Sequence, residues 1–281
     1  MRSAAGFIVI TFCLTCHLAT ARLLEPNCGI RIEGASFRNR IIGGSDVKIT
    51  AHPWMAYLHN DGHYRCAGTL INHQFVLTAA HCIDPDIKLT VRLGGNNLRP
   101  SGFMMCQPAA EDYEIARAIR HKYYTPSIAL NDIAMLRLAR SVEYSVFIRP
   151  ICIILDSVME RLLEEGMSLT ATGWGRTEEE SLATDLQVVP IELMHPNICS
   201  GLYDVPLGPS QLCAGDNQTN TCSGDSGGPL GGMMNYNGNM RFFQYAITSF
   251  GDLECRAPSV YTDLSTYFEW IEKVVNLFGT Q

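Results

Sequence analysis

The stretch TCSGDSGGPL, residues 221–230, carries the most specific chemical signal in this chain of 281 residues. It places Ser226 in a turn rich in glycine. Because glycine has no side chain, such a turn can expose a hydroxyl and let a substrate carbonyl approach the backbone. The N–H groups of Gly224 and Ser226 would then converge on a developing oxyanion. A glycine-rich turn alone is more often an ordinary loop, so the prediction of a nucleophilic serine needs further residues.

Two other segments supply those residues. The segment LTAAHC, residues 77–82, ends a strand-like run with His81 beside a cysteine. The segment NDIAMLRL, residues 131–138, places Asp132 at the start of another apolar run. A serine nucleophile needs a general base, and the base needs a carboxylate that fixes its tautomer and stabilises the imidazolium. The three segments together predict a triad in the chain order His, Asp, Ser.

These three segments resemble the signature motifs of the chymotrypsin-like secreted serine proteases, and their order is also that of the family. The resemblance extends over residues 41–281. Within the family, the chain resembles the haemolymph-type zymogens. It implies that His81 is the general base, Asp132 its orienting partner and Ser226 the nucleophile, with Gly224 and Ser226 forming the oxyanion hole. It also implies an all-β fold of two antiparallel six-stranded β-barrels, with the active site in the cleft between them. The implied activity is hydrolysis of peptide bonds through an acyl-enzyme, without metal or cofactor.

The hydrophobic pattern agrees with many short strands and one helix. Turn formers such as Asn60-Asp61-Gly62 and Asn237-Gly238 separate the runs. The final stretch changes to helical spacing from Tyr267 to Phe278, which predicts an amphipathic C-terminal helix without a chemical role. The strand-like runs cover residues 54–58, 75–79, 89–93, 133–138, 169–172 and 242–250.

The first residues and the composition indicate a secreted protein. Residues 1–21 combine an early arginine, a short apolar run and small residues before the predicted cleavage point, which is the pattern of a signal peptide. A membrane anchor is the alternative, but the run is short for a bilayer span of about 20 residues. The net charge of −7 gives no reason to expect nucleic acid or a membrane as partner. We expect an extracellular protein.

The sequence RIIGG, residues 40–44, resembles the cleavage site of the family's zymogens. Cleavage after Arg40 would free the α-ammonium of Ile41, which would fold inward and pair with Asp225. That buried pair would order the oxyanion loop and the specificity pocket. A buried Asp225 without its partner is costly, so the precursor is predicted to be inactive. The predicted organisation is a signal peptide over residues 1–21, a pro-segment without a core of its own over 22–40, and a protease domain over 41–281.

The cysteine count fits an oxidising compartment. The chain has 11 cysteines, two of them in the predicted signal peptide, so an odd number remains. The family resemblance implies that the pro-segment stays tethered as a light chain by one of four disulfides. Cys106 is left over, either as a free thiol or as a bridge to another chain. The implied pairs are Cys28–Cys152, Cys66–Cys82, Cys199–Cys213 and Cys222–Cys255.

The resemblance also places the specificity pocket. Asn220, followed by Thr221, stands at the pocket-bottom position where trypsin-like members have aspartate. An amide cannot compensate a desolvated guanidinium or ammonium, so we expect no strong preference for Arg or Lys. Ser259 stands where the family usually has glycine and should narrow the pocket, which favours neutral or smaller side chains. The wall strand Ser249-Phe250-Gly251 should pair with the substrate backbone.

Further expectations concern modification, metals and partners. Asn217 begins a glycosylation sequence, and Gly95 replaces an acidic calcium ligand of some relatives, so no structural calcium is expected. The expected partners are protein substrates, an upstream activating protease and protein protease inhibitors. We expect a monomer unless Cys106 bridges two chains. A non-catalytic protease homologue that regulates an extracellular cascade is the alternative function, and labelling by an active-site phosphonate would discriminate the two.

Overall fold

The computed structural model describes residues 22–32, 39–41, 44–95, 110–156, 163, 166–176, 182–215, 220–252 and 254–279, with the backbone alone for 39–41 and 44–46. The predicted signal peptide, Cys106 and Asn217 lie outside these residues. Arg40 and Ile41 belong to a short strand whose side chains are not described.

The first barrel contains six antiparallel strands in the closed order β3-β4-β5-β8-β7-β6. The hairpin between β3 and β4 turns at Asp61 and Gly62, which both have positive φ, as a two-residue hairpin turn requires. The strand bounds are β3 Met55–Asn60, β4 His63–Leu70, β5 Phe75–Thr78, β6 Thr90–Leu93, β7 Glu111–Arg120 and β8 Ala134–Leu138.

The second barrel follows the order β10-β11-β14-β13-β12-β9 and is closed by the pairing of β9 with β10. Two further strands, β1 Asn39–Ile41 and β2 Gly44–Asp46, extend the sheet beside β10. The barrel strands are β9 Ser168–Gly173, β10 Gln187–Met194, β11 Gln211–Ala214, β12 Pro229–Tyr236, β13 Asn239–Phe250 and β14 Ser259–Asp263.

The predicted fold class of two six-stranded barrels is therefore confirmed. The predicted C-terminal helix is α2, Phe268–Phe278, which buries Ile271 and Val274. A second helix, α1 Pro196–Tyr203, was not predicted. Its sequence signal is weak, because only Pro196 in the first turn marks a helix start. In the structure the His195 side chain caps the helix by accepting the Asn197 N–H at 3.2 Å. Within the described part of the chain, no helix combines the length and the apolar character that a bilayer crossing demands.

Buried contacts join the two barrels and fix the cleft between them. Thr69 of β4 donates a hydrogen bond of 2.7 Å to the side chain of Gln244 in β13, and both residues are fully buried. The ring of Trp54, next to β3, stacks on Phe242 of β13 with 5.0 Å between the ring centroids. These contacts link residues from opposite halves of the chain, so the cleft geometry depends on the packing of both barrels.

A buried histidine in this interface makes stability depend on pH. His52 lies edge-on to Trp54 and Phe242, and burial together with the charge of Arg31 lowers its pKa to about 3. The unfolded chain therefore binds more protons than the native state between pH 6.5 and 3, and stability falls as the pH falls through this window. We expect the wild type to lose about 3 kcal/mol between pH 7 and 4 through this group.

Urea unfolding at pH 7 and pH 4 measures this loss. His52→Gln removes the titrating group, so the variant should lose about 3 kcal/mol less than the wild type over this range. His63→Gln, which changes an exposed histidine of β4, is the control and should behave as the wild type does. Equal losses for the wild type and His52→Gln would contradict the prediction.

Candidate functional site

The structure pairs His81 with Asp132. His81 follows β5 in a one-turn 3-10 helix, Ala80–Cys82, and Asp132 lies two residues before β8. The His81 Nδ1 lies 2.7 Å from Asp132 Oδ2, and the His81 backbone N–H donates to Oδ1 at 2.9 Å. Two contacts therefore orient the imidazole from the side away from Nε2.

The second barrel completes the environment of Asp132. The Ser249 hydroxyl donates to Asp132 Oδ2 at 2.5 Å, and the Thr262 hydroxyl donates to the Asp132 carbonyl at 3.0 Å. Burial opposes the charge of this carboxylate, but the hydrogen bonds and charge of His81 and the Ser249 hydroxyl outweigh burial and lower its pKa. Because an ionised carboxylate only accepts hydrogen bonds, His81 carries its proton on Nδ1 and leaves the Nε2 lone pair free.

Ser226 lies in the same cleft as this pair. The cleft has a volume of about 520 Å³ and is lined by His81, Asp132 and Ser226 among other residues. The Ser226 carbonyl accepts the Ala67 N–H at 2.8 Å, which fixes the serine against β4 of the first barrel. Gly227 follows with φ of +80°, and an added Cβ would lie 2.2 Å from the Thr78 hydroxyl. Only glycine therefore lets the turn approach β5 so closely.

Asp225, the residue before the serine, is partly buried. Its Oδ1 accepts the Gly175 N–H and its Oδ2 the Cys222 N–H, each at 2.8 Å. Burial raises its pKa despite these two donors. Among the side chains that the structure describes, no cation forms an ion pair with this carboxylate. The two amide donors thus hold a carboxylate that still has no charge partner.

The predicted pocket residues fall into two groups. Thr221, Ser249, Phe250, Gly251 and Ser259 line the cleft. Asn220 is buried, its Nδ2 donates to the Cys255 carbonyl at 3.3 Å, and the described residues that line the cleft do not include it.

Two hydroxyl groups and a serine against the wall strand shape the predicted specificity pocket. The Thr221 and Tyr261 hydroxyls are 2.9 Å apart. An added Cβ on Gly251 would lie 2.4 Å from the Ser259 Oγ, so the serine occupies space against this wall.

An aromatic side chain that sequence reasoning missed supports the wall. The ring of Tyr203 in α1 lies edge-on to Phe250 at 5.4 Å, and its hydroxyl donates to the Pro258 carbonyl at 2.5 Å. Tyr203 also lines the cleft. No local sequence pattern identifies it, because the contact joins residues 55 positions apart.

Within the part of the chain that the structure describes, four disulfides hold the segments that carry the site. They join the pairs that the family resemblance implied: Cys28–Cys152, Cys66–Cys82, Cys199–Cys213 and Cys222–Cys255. The second pair anchors the His81 turn to β4, and the last anchors the turn before Ser226. The loops that carry His81 and Ser226 are therefore both cross-linked.

A double barrel with an Asp–His pair and a glycine-flanked serine in one cleft is the arrangement of the chymotrypsin-like serine proteases. The family model described as Trypsin matches residues 41–271. The chain therefore belongs to the trypsin family of serine proteases, whose members are peptidases.

Known proteins similar to this chain support the assignment. Serine protease ea of Drosophila melanogaster is 35% identical over 271 residues, which cover 86% of this chain and 69% of that protein. Kallikrein-4 of Homo sapiens is 34% identical over 242 residues, which cover 84% of this chain and 88% of that protein. The crystal structure of the drosophila Grass clip serine protease of the Toll pathway superposes with a TM-score of 0.76 at 30% identity and covers 90% of this chain and 75% of that chain.

Proposed function

We propose that this chain is a secreted serine endopeptidase, made as a zymogen and activated by cleavage after Arg40. The observation that carries the proposal is the hydrogen-bonded His81–Asp132 pair in the same cleft as Ser226. The Nδ1 proton is directed at an ionised carboxylate, so Nε2 is the free base of the imidazole. Such a pair is the requirement for activating a serine hydroxyl at neutral pH.

In the proposed reaction, His81 Nε2 takes the proton of the Ser226 hydroxyl while its oxygen attacks the scissile carbonyl carbon. The tetrahedral oxyanion accepts hydrogen bonds from the N–H groups of Gly224 and Ser226. His81 then protonates the leaving amine, and the C–N bond breaks to give an acyl-enzyme. Water hydrolyses the acyl-enzyme by the same proton transfers. Asp132 stays ionised and stabilises the imidazolium in both halves of the reaction.

The environment of Asp225 supports activation by cleavage. Its partly buried carboxylate accepts two amide hydrogen bonds and forms no ion pair within the described residues, and the Ile41 ammonium would supply one. This would convert an unfavourable buried charge into a pair. The ordered pair would then hold the turn that carries Gly224 and Ser226.

The contacts of residues 22–32 support a light chain that stays attached after cleavage. The Cys28–Cys152 disulfide crosses from residues 22–32 to the protease domain. The Gly29 N–H donates to the Pro150 carbonyl at 2.8 Å, and the Phe242 N–H donates to the Gly29 carbonyl at 3.0 Å. The Arg22 guanidinium also pairs with Glu272 of α2. Covalent and polar contacts therefore both tether this segment.

The pocket supports a preference for neutral or small side chains rather than Arg or Lys. Its described lining presents the hydroxyls of Thr221 and Ser259, and the Asn220 amide is engaged with a backbone carbonyl. Neither a hydroxyl nor an engaged amide compensates the charge of a buried guanidinium. The Asp252 carboxylate also lines the cleft, and its Oδ2 already accepts the Arg256 N–H at 3.0 Å. An upstream protease is then the better activator for cleavage after Arg40, and protein inhibitors and protein substrates are the expected partners. The relative from the Toll pathway suggests an extracellular cascade as the setting.

A substrate-library profile of the Arg40-cleaved protein tests this function, with Ser226→Ala as the matched control. Cleavage after neutral or small residues by the wild type alone would support both the triad and the pocket. A strong preference for Arg or Lys would keep the endopeptidase and contradict the pocket argument. No turnover together with failed labelling by a fluorophosphonate would favour the alternative, a non-catalytic regulator.

A further inference from the structure

Tyr64 contacts the turn that carries the predicted nucleophile. It lies in β4, two residues before the disulfide-bonded Cys66. Its hydroxyl donates a hydrogen bond to the carbonyl of Gly224, a residue 160 positions away. Its ring stacks on Tyr57 at 4.7 Å and meets Trp174 edge-on at 6.3 Å. The packing leaves the ring little freedom, so the hydroxyl is directed at one acceptor.

Gly224 has a backbone conformation that other residues rarely adopt. Its φ is +106°, and an added Cβ would lie 2.8 Å from the Leu182 side chain and 3.1 Å from the Gly175 Cα. Since glycine alone tolerates this position, the backbone here is intrinsically free to rotate. Contacts from outside the turn must therefore fix the orientation of its peptide groups.

Two such contacts are present, one on each side of Gly224. The Arg176 N–H donates to the Ser223 carbonyl at 3.0 Å and fixes the peptide group before Gly224. The Tyr64 hydroxyl fixes the peptide group after it. In a trans peptide the N–H points opposite to the C=O, so holding the Ser223 carbonyl also directs the Gly224 N–H. The Tyr64 contact prevents the rotation about Gly224 that would release this arrangement.

We propose that Tyr64 is a positioning residue for the oxyanion hole, because its hydroxyl fixes the peptide group after Gly224 and so prevents the rotation about Gly224 that would turn the Gly224 N–H away from substrate. The inference rests on the proposed peptidase function and assigns to that function a residue that lies outside the three sequence motifs. Tyr64 acts through Gly224 and does not touch the reacting atoms.

The donor is available across the working pH range. Burial, the nearby Asp225 carboxylate and Tyr57 raise the pKa of Tyr64 well above its ordinary value. The hydroxyl therefore keeps its proton and remains a donor. Its effect on the rate should therefore not depend on pH.

Tyr64→Phe keeps the ring and removes the hydrogen bond. The activated protein should acylate with p-nitrophenyl acetate about tenfold more slowly at saturation, since one hydrogen bond to the oxyanion loop is lost. KM should change less than about twofold, because a transition-state contact is affected rather than ground-state binding. The midpoint of the acid limb of the pH profile should stay at the wild-type value, since the hydroxyl does not contact His81. Rates are normalised to sites titrated with a fluorophosphonate, so that misfolded molecules are not counted.

Tyr57→Phe is the matched control. It removes the hydroxyl of the stacked neighbour, which donates to the Gly62 carbonyl at 3.2 Å and not to the oxyanion loop. This variant should acylate at the wild-type rate. A Tyr64→Phe rate equal to the wild-type rate, or a KM change that accounts for the whole loss, overturns the inference alone. A wild type that neither turns over nor reacts with the fluorophosphonate overturns the proposed function and this inference with it.

Discussion

Asp132→Asn should lower kcat of the Arg40-cleaved protein by about 10⁴-fold, the size of effect known for this substitution in a serine protease of the same class. The carboxylate accepts hydrogen bonds from His81 Nδ1, from the His81 backbone and from Ser249. An asparagine can offer its NH2 group to Nδ1, which places the imidazole proton on Nε2. Nε2 then carries a proton instead of a lone pair, and the general base that Ser226 needs is lost.

The measurement is kcat and KM on a peptide substrate identified in the library profile. KM should remain within about threefold of the wild-type value, since the substrate does not contact Asp132 in the proposed mechanism. The two proteins are compared on the plateau of the pH profile, where the Asp132 carboxylate of the wild type is ionised because its pKa lies below the ordinary value of 3.8. Its contribution is present above that pH and is lost only as the pH falls below it.

Asp112→Asn is the matched control, since it also removes a hydrogen-bonded aspartate. Asp112 lies on β7 and pairs with Arg92 at 2.7 Å, away from the cleft-lining residues. Its kcat should stay within about twofold of the wild-type value, as expected of an exposed pair. If Asp132→Asn lowered kcat by less than about tenfold, Asp132 would not set the tautomer of His81.

The sequence predicts the fold well where local chemistry determines local structure. The turn at Asp61-Gly62 adopts positive φ at both residues, and the helical spacing after Tyr267 yields α2. Both features depend on neighbouring residues alone. In contrast, His81 and Asp132 are 51 positions apart, and no spacing rule brings them together. Their pairing followed from the resemblance of whole motifs, and the structure supplies the distance.

The sequence predicts the site less well where a side chain has several possible neighbours. The contact of Tyr64 with Gly224 joins the two barrels, so it depends on packing that no local pattern reports. The same reason limits Asn220: an amide at this position can face the cleft or bond to the backbone, and the nearby Cys255 carbonyl offers the second choice. The position of Asn220 in the sequence therefore does not determine which way its amide points.

Asp225→Asn should leave the Arg40-cleaved protein with kcat/KM lowered by about 10²–10⁴-fold. The proposed Ile41–Asp225 pair is buried, and breaking such a pair costs about 3–5 kcal/mol. With about 1.4 kcal/mol per factor of ten, this cost reduces the population of ordered enzyme by about two to nearly four orders of magnitude. An asparagine also serves the two amide donors poorly, since its NH2 group must face either Gly175 N–H or Cys222 N–H.

The pH dependence separates loss of the pair from general damage. Burial raises the pKa of Asp225 in the intact chain, so its ionised form becomes costly as the pH rises through that value. The Ile41 ammonium offsets this cost while it is protonated, and a free α-amino group has a pKa of about 8. Pairing raises that pKa, so the stabilisation is present below pH 8 and is lost as the pH rises through the raised value.

The measurement is kcat/KM of the cleaved wild type and of Asp225→Asn from pH 6 to 10, with Arg40→Gln as the variant that cannot be cleaved. The kcat/KM of the wild type should fall at alkaline pH. The low kcat/KM of Asp225→Asn should show no such fall, because its asparagine has no charge that could pair with the Ile41 ammonium. Arg40→Gln should show only the activity of the precursor at every pH. Equal activity of the cleaved wild type and Asp225→Asn would mean that some other contact orders the loop around Gly224.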